Sequence, residues 1–210
     1  MMLILLADDH VVVRRGLRDM LASAFPGAQF MEAGTGDEVL GHIRRQVCNL
    51  LILDINMPGR SGVDVLKEVR KLCPAMPVLM LSVQPEDQYA VRCLKAGAAG
   101  YLCKDSAEEE LVKATRKVME GGRYVSTQLS EKLAREIQRP SNKEPHQLLS
   151  DRELEVMRMI ASGKSLTDIA ETLHVSVKTV GTYRSRCLLK MQMQSNADLV
   201  RYVLEHKLLA

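Results

Sequence analysis

The chain has 210 residues, of which 46% are hydrophobic and 26% are charged, and its formal net charge is +3. This length suits one large or two small domains, the net charge is too small to indicate a nucleic-acid partner by itself, and no apolar run approaches the roughly 20 residues that span a bilayer. Five cysteines that never form a C-x-x-C pair argue against a disulfide framework or a zinc site, and the N-terminus lacks a basic leader, so we expect a soluble, cytoplasmic protein with no membrane partner.

Residues 1–121 alternate short apolar runs with segments whose apolar residues recur at helical spacing. Short apolar runs bounded by polar or turn residues are typical of buried parallel strands. Their alternation with helices predicts an α/β fold, a doubly wound five-stranded parallel sheet with the strand order 2-1-3-4-5. The predicted strands are Leu3–Ala7, Gln29–Ala33, Leu50–Leu53, Val78–Leu81 and Gly100–Leu102.

The pattern changes after residue 121. Segment Ser126–Gln138 has apolar residues four apart and predicts a helix, whereas Arg139–Pro145 holds two prolines and predicts a linker. We therefore expect a linker with a helix over residues 122–147. Residues 148–210 show four helical patterns and no strand, which predicts a second, smaller all-α domain.

Capping residues mark where these later helices begin. Ser165–Asp168 has the capping-box pattern and opens the second helix. Ser176 is predicted to cap the third helix, which runs to about Met191, and Asn196 to cap a fourth helix. Two helices joined by a tight turn, the second of them basic, predict a helix-turn-helix.

Polar side chains follow the strands of the predicted sheet. Asp8 and Asp9 follow the first strand, Asp54 the third, Ser82 the fourth and Lys104 the fifth. The carboxyl ends of parallel strands meet at one edge of the sheet, where ligands bind. Three carboxylates oppose one another's ionisation, so they predict a cation, and Mg²⁺ suits carboxylate and water ligands and bridges to phosphate. Asp54 is then a candidate nucleophile towards phosphorus, with Mg²⁺ and Lys104 neutralising phosphoryl charge.

The motifs around these residues resemble the receiver domain of two-component response regulators. They are Ala-Asp-Asp-His (7–10), Leu-Asp-Ile-Asn-Met-Pro-Gly-x-x-Gly (53–62), Ser82 and Tyr-Leu-Cys-Lys-Asp (101–105). The resemblance covers residues 2–121 and implies a flavodoxin-like receiver domain over residues 1–121. It also implies that Asp54 accepts phosphate from a sensor histidine kinase.

The resemblance assigns roles to the other residues of this edge. It implies that Asp9, Asp54 and the backbone carbonyl of Asn56 bind Mg²⁺ directly, that Asp8 acts through water, and that Lys104 pairs with the phosphoryl group. It further implies that Ser82 and Tyr101 change conformation when Asp54 is phosphorylated. Ser82 would hydrogen-bond a phosphate oxygen, and Tyr101 would move into the space that the Ser82 loop leaves. Without this context, the two residues would be a strand-end cap and a half-buried aromatic.

The segment from Ser176 to Met191 holds four basic residues and no acidic one, a footprint of nucleic-acid binding, although such a helix also occurs as a plain solvated face. Residues 149–180 resemble the LuxR-type helix-turn-helix, so the whole chain resembles the NarL/FixJ subfamily of response regulators. A helix-turn-helix places its second helix in the major groove of double-stranded DNA. The predicted DNA-facing residues are Lys178, Thr179, Gly181, Thr182, Ser185 and Arg186, with Arg184 and Lys190 as flanking phosphate contacts.

The resemblance predicts a transcription factor that phosphorylation on Asp54 controls. Phosphorylation would favour a homodimer that reads two half-sites of a promoter, about one helical turn or a multiple of it apart. The final helix, with Leu199, Val203 and Leu204, either forms this dimer or completes the core of its own domain.

Two other functions compete with this one. An aspartyl-phosphate phosphohydrolase generally has a second Asp two residues after the nucleophile, where this chain has Asn56. We therefore expect no enzyme beyond Mg²⁺-dependent self-phosphorylation and slow autodephosphorylation. A constitutive DNA binder is the third possibility. DNA affinity that is the same with and without phosphorylation would favour it.

Overall fold

The structure is a computed structural model that describes residues 2–83, 86–105, 108–126, 129–131 and 144–209. The chain divides into two units, residues 1–138 and 139–210. Within the described residues, none of the helices combines the length and the apolar character that a bilayer crossing requires.

The first unit contains a five-stranded sheet in the order β2-β1-β3-β4-β5, with every neighbouring pair parallel. This confirms the predicted doubly wound α/β fold and its strand order. The last three strands each continue one residue beyond the predicted end, to Asp54, Ser82 and Cys103, and in β3 and β4 this residue is the polar one that closes the apolar run. The strands are β1 Leu3–Ala7, β2 Gln29–Ala33, β3 Leu50–Asp54, β4 Val78–Ser82 and β5 Gly100–Cys103.

Helices connect the strands, and the buried strands β1, β3 and β4 form the centre of the core. Each residue of these three strands is buried, and a fully buried Leu or Ile contributes about 1.5–3 kcal/mol. Thr35 and Ser61 cap two of the helices by accepting from backbone N–H groups. The helices are α1 Val11–Ala24, α2 Gly36–Arg45, α3 Gly62–Leu72, α4 Glu86–Lys95 and α5 Glu108–Met119.

The predicted helix Ser126–Gln138 and the predicted linker after it lie largely outside the described residues. Of that helix, residues 126 and 129–131 are described, and of these residues 129–131 are helical. A 3₁₀ helix over Pro145–Leu148 precedes the second unit's first α-helix, and the Nδ1 atom of His146 lies 2.9 Å from the Tyr202 hydroxyl. The boundaries of the receiver domain, the linker and the second domain stay predictions.

The second unit is all-α, as expected, and its four α-helices begin at serine caps. Three caps are full capping boxes, in which the serine and the third helical residue exchange hydrogen bonds. The apolar core includes Val156, Ile160, Ile169 and Val180. The helices are α6 Asp151–Ala161, α7 Leu166–Leu173, α8 Val177–Met191 and α9 Asn196–Glu205.

The prediction that Asn196 caps the last helix is wrong, and Ser195 is the cap. The Ser195 hydroxyl accepts from the Asp198 N–H at 3.3 Å, and the Asp198 carboxylate accepts from the Ser195 N–H at 3.0 Å. The Asn196 side chain is used elsewhere, because its Oδ1 accepts from Arg184 Nε at 2.6 Å. In α9, Leu199 and Val203 are fully buried within the unit, whereas Leu204 is exposed.

Candidate functional site

Three charged side chains meet at the carboxyl edge of the sheet. Asp8 follows β1, Asp54 ends β3, and Lys104 follows β5. The Lys104 Nζ atom lies 2.5 Å from Asp8 Oδ2 and 2.8 Å from Asp54 Oδ2. The carboxylate side chains are 0% and 1% exposed, and the lysine side chain is 13% exposed. The sheet therefore brings these three predicted site residues into one buried cluster.

Burial determines the ionisation of this cluster. It raises the pKa of Asp54 from 3.8 to about 6, against the attraction of Lys104, and Asp8 adds to the rise. For Lys104, burial alone would lower the pKa, but the two carboxylates outweigh it and hold the pKa above its usual value. The lysine is therefore charged at neutral pH, while Asp54 is a carboxylate that further positive charge would stabilise.

Asp9 lies at the outer side of the same cluster. Its Oδ1 is 2.8 Å from His10 Nδ1, and Asp8 Oδ1 accepts from the His10 backbone N–H at 2.8 Å. Asp8 Oδ2 and Asp9 Oδ1 are buried atoms that lack a donor in hydrogen-bond geometry, although each has a charged or ring nitrogen nearby. Asp8, Asp9 and His10 offer ligand atoms within 4.8 Å of one another. Oxygens of this kind fit a hard divalent cation.

Two backbone features hold Asp54 in place. The Asn56 N–H donates to Asp54 Oδ1 at 3.2 Å, so the residue whose carbonyl is a predicted Mg²⁺ ligand is tied to the acid. Gly62 packs so closely on the end of β3 that an added Cβ atom would lie 2.0 Å from the Asp54 carbonyl oxygen. Only glycine fits there, which explains the last residue of the motif at 53–62.

Arg14 is a residue of this edge that the sequence analysis missed. Its Nη1 donates to the Asp8 carbonyl oxygen at 2.6 Å, and its Nε pairs with Glu32 at 3.0 Å. These bonds connect α1 to the loop after β1 and to β2. Nothing in the local sequence pattern distinguishes it from Arg15 and Arg18 of the same helix.

The predicted switch residues are both fully buried. Ser82 ends β4 opposite Cys103, and Tyr101 lies two residues earlier in the neighbouring strand β5; both side chains are 0% exposed. A side-chain hydrogen bond joins them, and burial raises the pKa of Tyr101 well above its usual value despite that bond. The alternative of a half-buried aromatic is therefore wrong for Tyr101, whose ring points into the protein.

The basic helix α8 has a buried and an exposed face. Val180, Cys187 and Met191 are buried, while Lys178 and Thr182 are exposed, as are Ser185 and Arg186. The helix therefore has one face in the core of the unit and one face open to a partner. Gly181 faces open space, since an added Cβ atom would meet nothing within 4 Å.

The two predicted phosphate contacts of α8 have partners inside the second unit. Arg184 donates to Asn196, as described above, and Lys190 Nζ lies 2.6 Å from Glu153 Oε2. No ion pair joins Lys178 or Arg186 to any residue in the described part of the chain. The four basic residues of α8 therefore fall into two classes.

Comparison with known proteins identifies both units. Residues 4–116 match the response regulator receiver domain family, and residues 147–203 match the bacterial regulatory proteins of the luxR family. The chain is 32% identical over 206 residues to response regulator UvrY of Escherichia coli K12, covering 98% of this chain and 94% of that protein. It is 36% identical over 216 residues to the oxygen regulatory protein NreC of Staphylococcus epidermidis, covering 99% of both chains.

Solved structures agree with this comparison. The response regulator ChrA of a heme-sensing two-component system is 28% identical, with a TM-score of 0.51 over 99% of this chain and 98% of that one. RcsB from Salmonella enterica serovar Typhimurium, bound to a promoter, shares the fold at 24% identity, with a TM-score of 0.59 over 96% of this chain and 97% of that one. The chain therefore belongs to the two-component response regulators of the NarL/FixJ type, DNA-binding transcription regulators with a receiver domain and a LuxR-type helix-turn-helix.

Proposed function

We propose that Asp54 accepts a phosphoryl group from a sensor histidine kinase and that this step controls dimerisation and promoter binding. The observation that carries the proposal is the position of Asp54, at the carboxyl end of the central strand β3 and 2.8 Å from the Lys104 ammonium. A kinase partner follows from the receiver domain. The cytoplasm, where kinase and DNA are both accessible, is the expected compartment.

The chemistry is a transfer between two side chains. A carboxylate oxygen of Asp54 forms a bond to phosphorus while the bond from phosphorus to a histidine nitrogen of the kinase breaks. Lys104 is close enough to pair with the new phosphoryl oxygens and to stabilise the charge that develops on them. Burial keeps water away from Lys104 and Asp54, which strengthens this attraction.

The residues present fit a bound Mg²⁺ ion. Asp8, Asp9, Asp54 and the Asn56 carbonyl would hold it, and the clustering of ligand atoms of Asp8 and Asp9 within 4.8 Å supports this assignment. When bound, the ion supplies positive charge that lowers the cost of three neighbouring carboxylates and neutralises phosphate. The same site supports self-phosphorylation from small phosphodonors. Autodephosphorylation is slow, because Asn56 cannot act as the general acid.

Ser82 and Tyr101 connect the site to the rest of the receiver. In this structure a hydrogen bond joins the two side chains. A phosphoryl group on Asp54 would compete for the Ser82 hydroxyl, because a charged phosphate oxygen is the stronger acceptor. The Tyr101 ring then moves into the space that the Ser82 loop leaves.

In the second unit, α8 is the DNA-reading helix. Its first turns carry Lys178, Thr179, Gly181 and Thr182, followed by Ser185 and Arg186 on or beside the exposed face. The open space over Gly181 supports a close approach of the helix backbone to DNA. Arg184, predicted as a flanking phosphate contact, donates to Asn196 through its Nε, and its two Nη groups are the donors that would contact a phosphate. The exposed Leu204 of α9 is available to a dimer, while Leu199 and Val203 serve the unit's own core.

Labelling with a radioactive small phosphodonor tests the proposal. Acetyl phosphate with Mg²⁺ should label the full chain, Asp54→Asn should abolish the label, and Asp19→Asn, a change at an exposed carboxylate, should leave it intact. Equal labelling of the Asp54 variant would show that another residue is the nucleophile. Rapid release of the label would favour the phosphohydrolase, and DNA affinity unchanged by labelling would favour the constitutive binder.

A further inference from the structure

The carboxylate of Glu153 connects the start of α6 to the far end of α8. Glu153 is 3% exposed, and its Oε2 accepts from the Ser150 backbone N–H at 2.7 Å and from Lys190 Nζ at 2.6 Å. The bond to Ser150 completes the capping box that starts α6. The bond to Lys190 reaches across 37 residues of sequence. One buried carboxylate thus closes a helix cap and holds a second helix.

The backbone carbonyl of Glu153 accepts a second hydrogen bond from α8. The Cys187 thiol, one turn before Lys190, donates to the Glu153 carbonyl oxygen at 3.0 Å. Cys187 is fully buried, and burial raises its pKa to about 12, so it stays a neutral thiol that packs and donates. Two bonds from successive turns of α8 therefore end on the same residue of α6, and together they fix how far α8 is rotated about its own axis.

That rotation decides which side chains face outward. With 3.6 residues per turn, Lys178, Thr182 and Ser185 lie within about 60° of one another around the helix, and Lys190 lies roughly 120° away. A rotation of α8 after loss of the bonds to Glu153 would turn this face by the same angle. Base contacts depend on such placement, whereas attraction to the DNA backbone depends mainly on the number of charges.

We propose that Lys190 is a positioning residue for DNA recognition that acts through Glu153 and does not bind a phosphate. The inference rests on the proposed role of α8 as the DNA-reading helix. The Lys190 side chain is 40% exposed, but its ammonium cannot leave Glu153 for a phosphate without stranding a carboxylate that is 3% exposed, which is unfavourable. Glu153 shows the strength of the pairing: burial would raise its pKa, but the bonds from Lys190 and Ser150 hold the pKa below its usual value. The phosphate contacts of α8 then come chiefly from Lys178 and Arg186, which form no ion pair within the residues that the structure describes.

The two roles leave different signatures in DNA binding. Removing a phosphate contact weakens binding to all sequences alike and lowers the slope of log affinity against log salt by about 0.9. Removing a positioning residue leaves the slope and the affinity for unrelated DNA unchanged. It lowers the ratio of specific to non-specific affinity, on the order of tenfold, because misplaced side chains lose base contacts. Lys190→Met should show the second pattern, although it removes a positive charge from a DNA-binding helix.

The experiment uses the full chain and two DNA duplexes. One duplex is selected by the wild-type protein, with acetyl phosphate present, from a random library, and the other is its scrambled version. Fluorescence anisotropy gives both affinities between roughly 50 and 200 mM salt for wild type, Lys190→Met and the matched control Arg186→Met. Lys190→Arg, which keeps the ion pair, should restore the specificity ratio.

A double variant distinguishes a loss of positioning from the destabilisation caused by an unpaired buried charge. Glu153→Gln combined with Lys190→Met leaves no buried charge unpaired and keeps an acceptor for the Ser150 N–H, so it supports the inference if it lowers the ratio without changing the slope. A Lys190→Met protein that loses salt slope as Arg186→Met does, or keeps its ratio, overturns the inference. Failure of Asp54 to take phosphate would appear in the labelling experiment instead, so the two failures are distinguishable.

Discussion

The raised pKa of Asp54 makes a quantitative prediction about stability without divalent cations. Between pH 3.8 and about 6, the folded chain retains a proton on this carboxyl that the unfolded chain has already released. Stability falls with rising pH wherever the folded state binds more protons than the unfolded state. The contribution of Asp54 is therefore fully present below pH 3.8 and is lost as the pH rises through about 6.

The size of the loss follows from the shift. A pKa that moves from 3.8 to about 6 corresponds to roughly 3 kcal/mol, at about 1.36 kcal/mol per unit. Other carboxylates change the stability over the same range, so the quantity to measure is the difference between wild type and Asp54→Asn. The asparagine keeps the shape and removes the titration. The attraction of Lys104 to the ionised carboxylate is already included in the pKa of about 6, and the lysine itself stays charged throughout this pH range, so it adds no titration of its own.

Urea unfolding in a chelator, followed by circular dichroism from about pH 4 to pH 7, measures this difference. Over this range the wild-type stability should fall by about 2.4 kcal/mol relative to Asp54→Asn, and Asp19→Asn, at a carboxylate with a 74% exposed side chain, should run parallel to wild type. Adding Mg²⁺ should flatten the wild-type curve, because a ligand of the ionised folded state stabilises it by mass action. Parallel curves for wild type and Asp54→Asn in the chelator would refute the reasoning and show that Lys104 cancels the effect of burial.

Two further predictions concern the glycine behind the site and the corrected helix cap. Gly62→Ala places a Cβ atom 2.0 Å from the Asp54 carbonyl oxygen, so it should destabilise the protein by about 3 kcal/mol and weaken labelling. Gly41→Ala, in open space on α2, should instead stabilise it by about 0.5–1 kcal/mol, and similar melting temperatures for the two variants would contradict the packing. Ser195→Ala should lower stability by about 1 kcal/mol in chemical denaturation, more than Asn196→Ala does, and the reverse order would restore Asn196 as the cap.

The sheet could be predicted from the sequence because strands buried on both faces are continuous apolar runs. Asp54 and Ser82 were placed after their strands because a polar residue ends the run, whereas the ladder continues and pairs Asp54 with Leu81. The meeting of Asp8 and Asp54 with Lys104 was also predictable, since strand order alone brings three strand ends together. The Ser195 cap had a signal too, the pattern of Ser195 and Asp198, which the asparagine beside it obscured.

The remaining contacts depend on packing that no local pattern records. The bond of Arg14 to the Asp8 carbonyl depends on the angle at which α1 leaves the sheet. The pairing of Lys190 with Glu153 joins residues far apart in sequence, and it becomes visible only when α6 and α8 are packed. A basic residue on an otherwise basic helix looks like a DNA contact until its partner is known.

The burial of Tyr101 has a practical consequence for following this protein in solution. The chain has no tryptophan and five tyrosines, so its ultraviolet emission comes almost entirely from phenol rings. Tyr101 is fully enclosed, with its hydroxyl bonded to Ser82. A change in the position of that ring would alter its environment and hence its emission. Tyr101→Phe, which removes this phenol, is the control. The proposed movement of Tyr101 on phosphorylation is therefore measurable by the intrinsic fluorescence of the chain, without an attached dye.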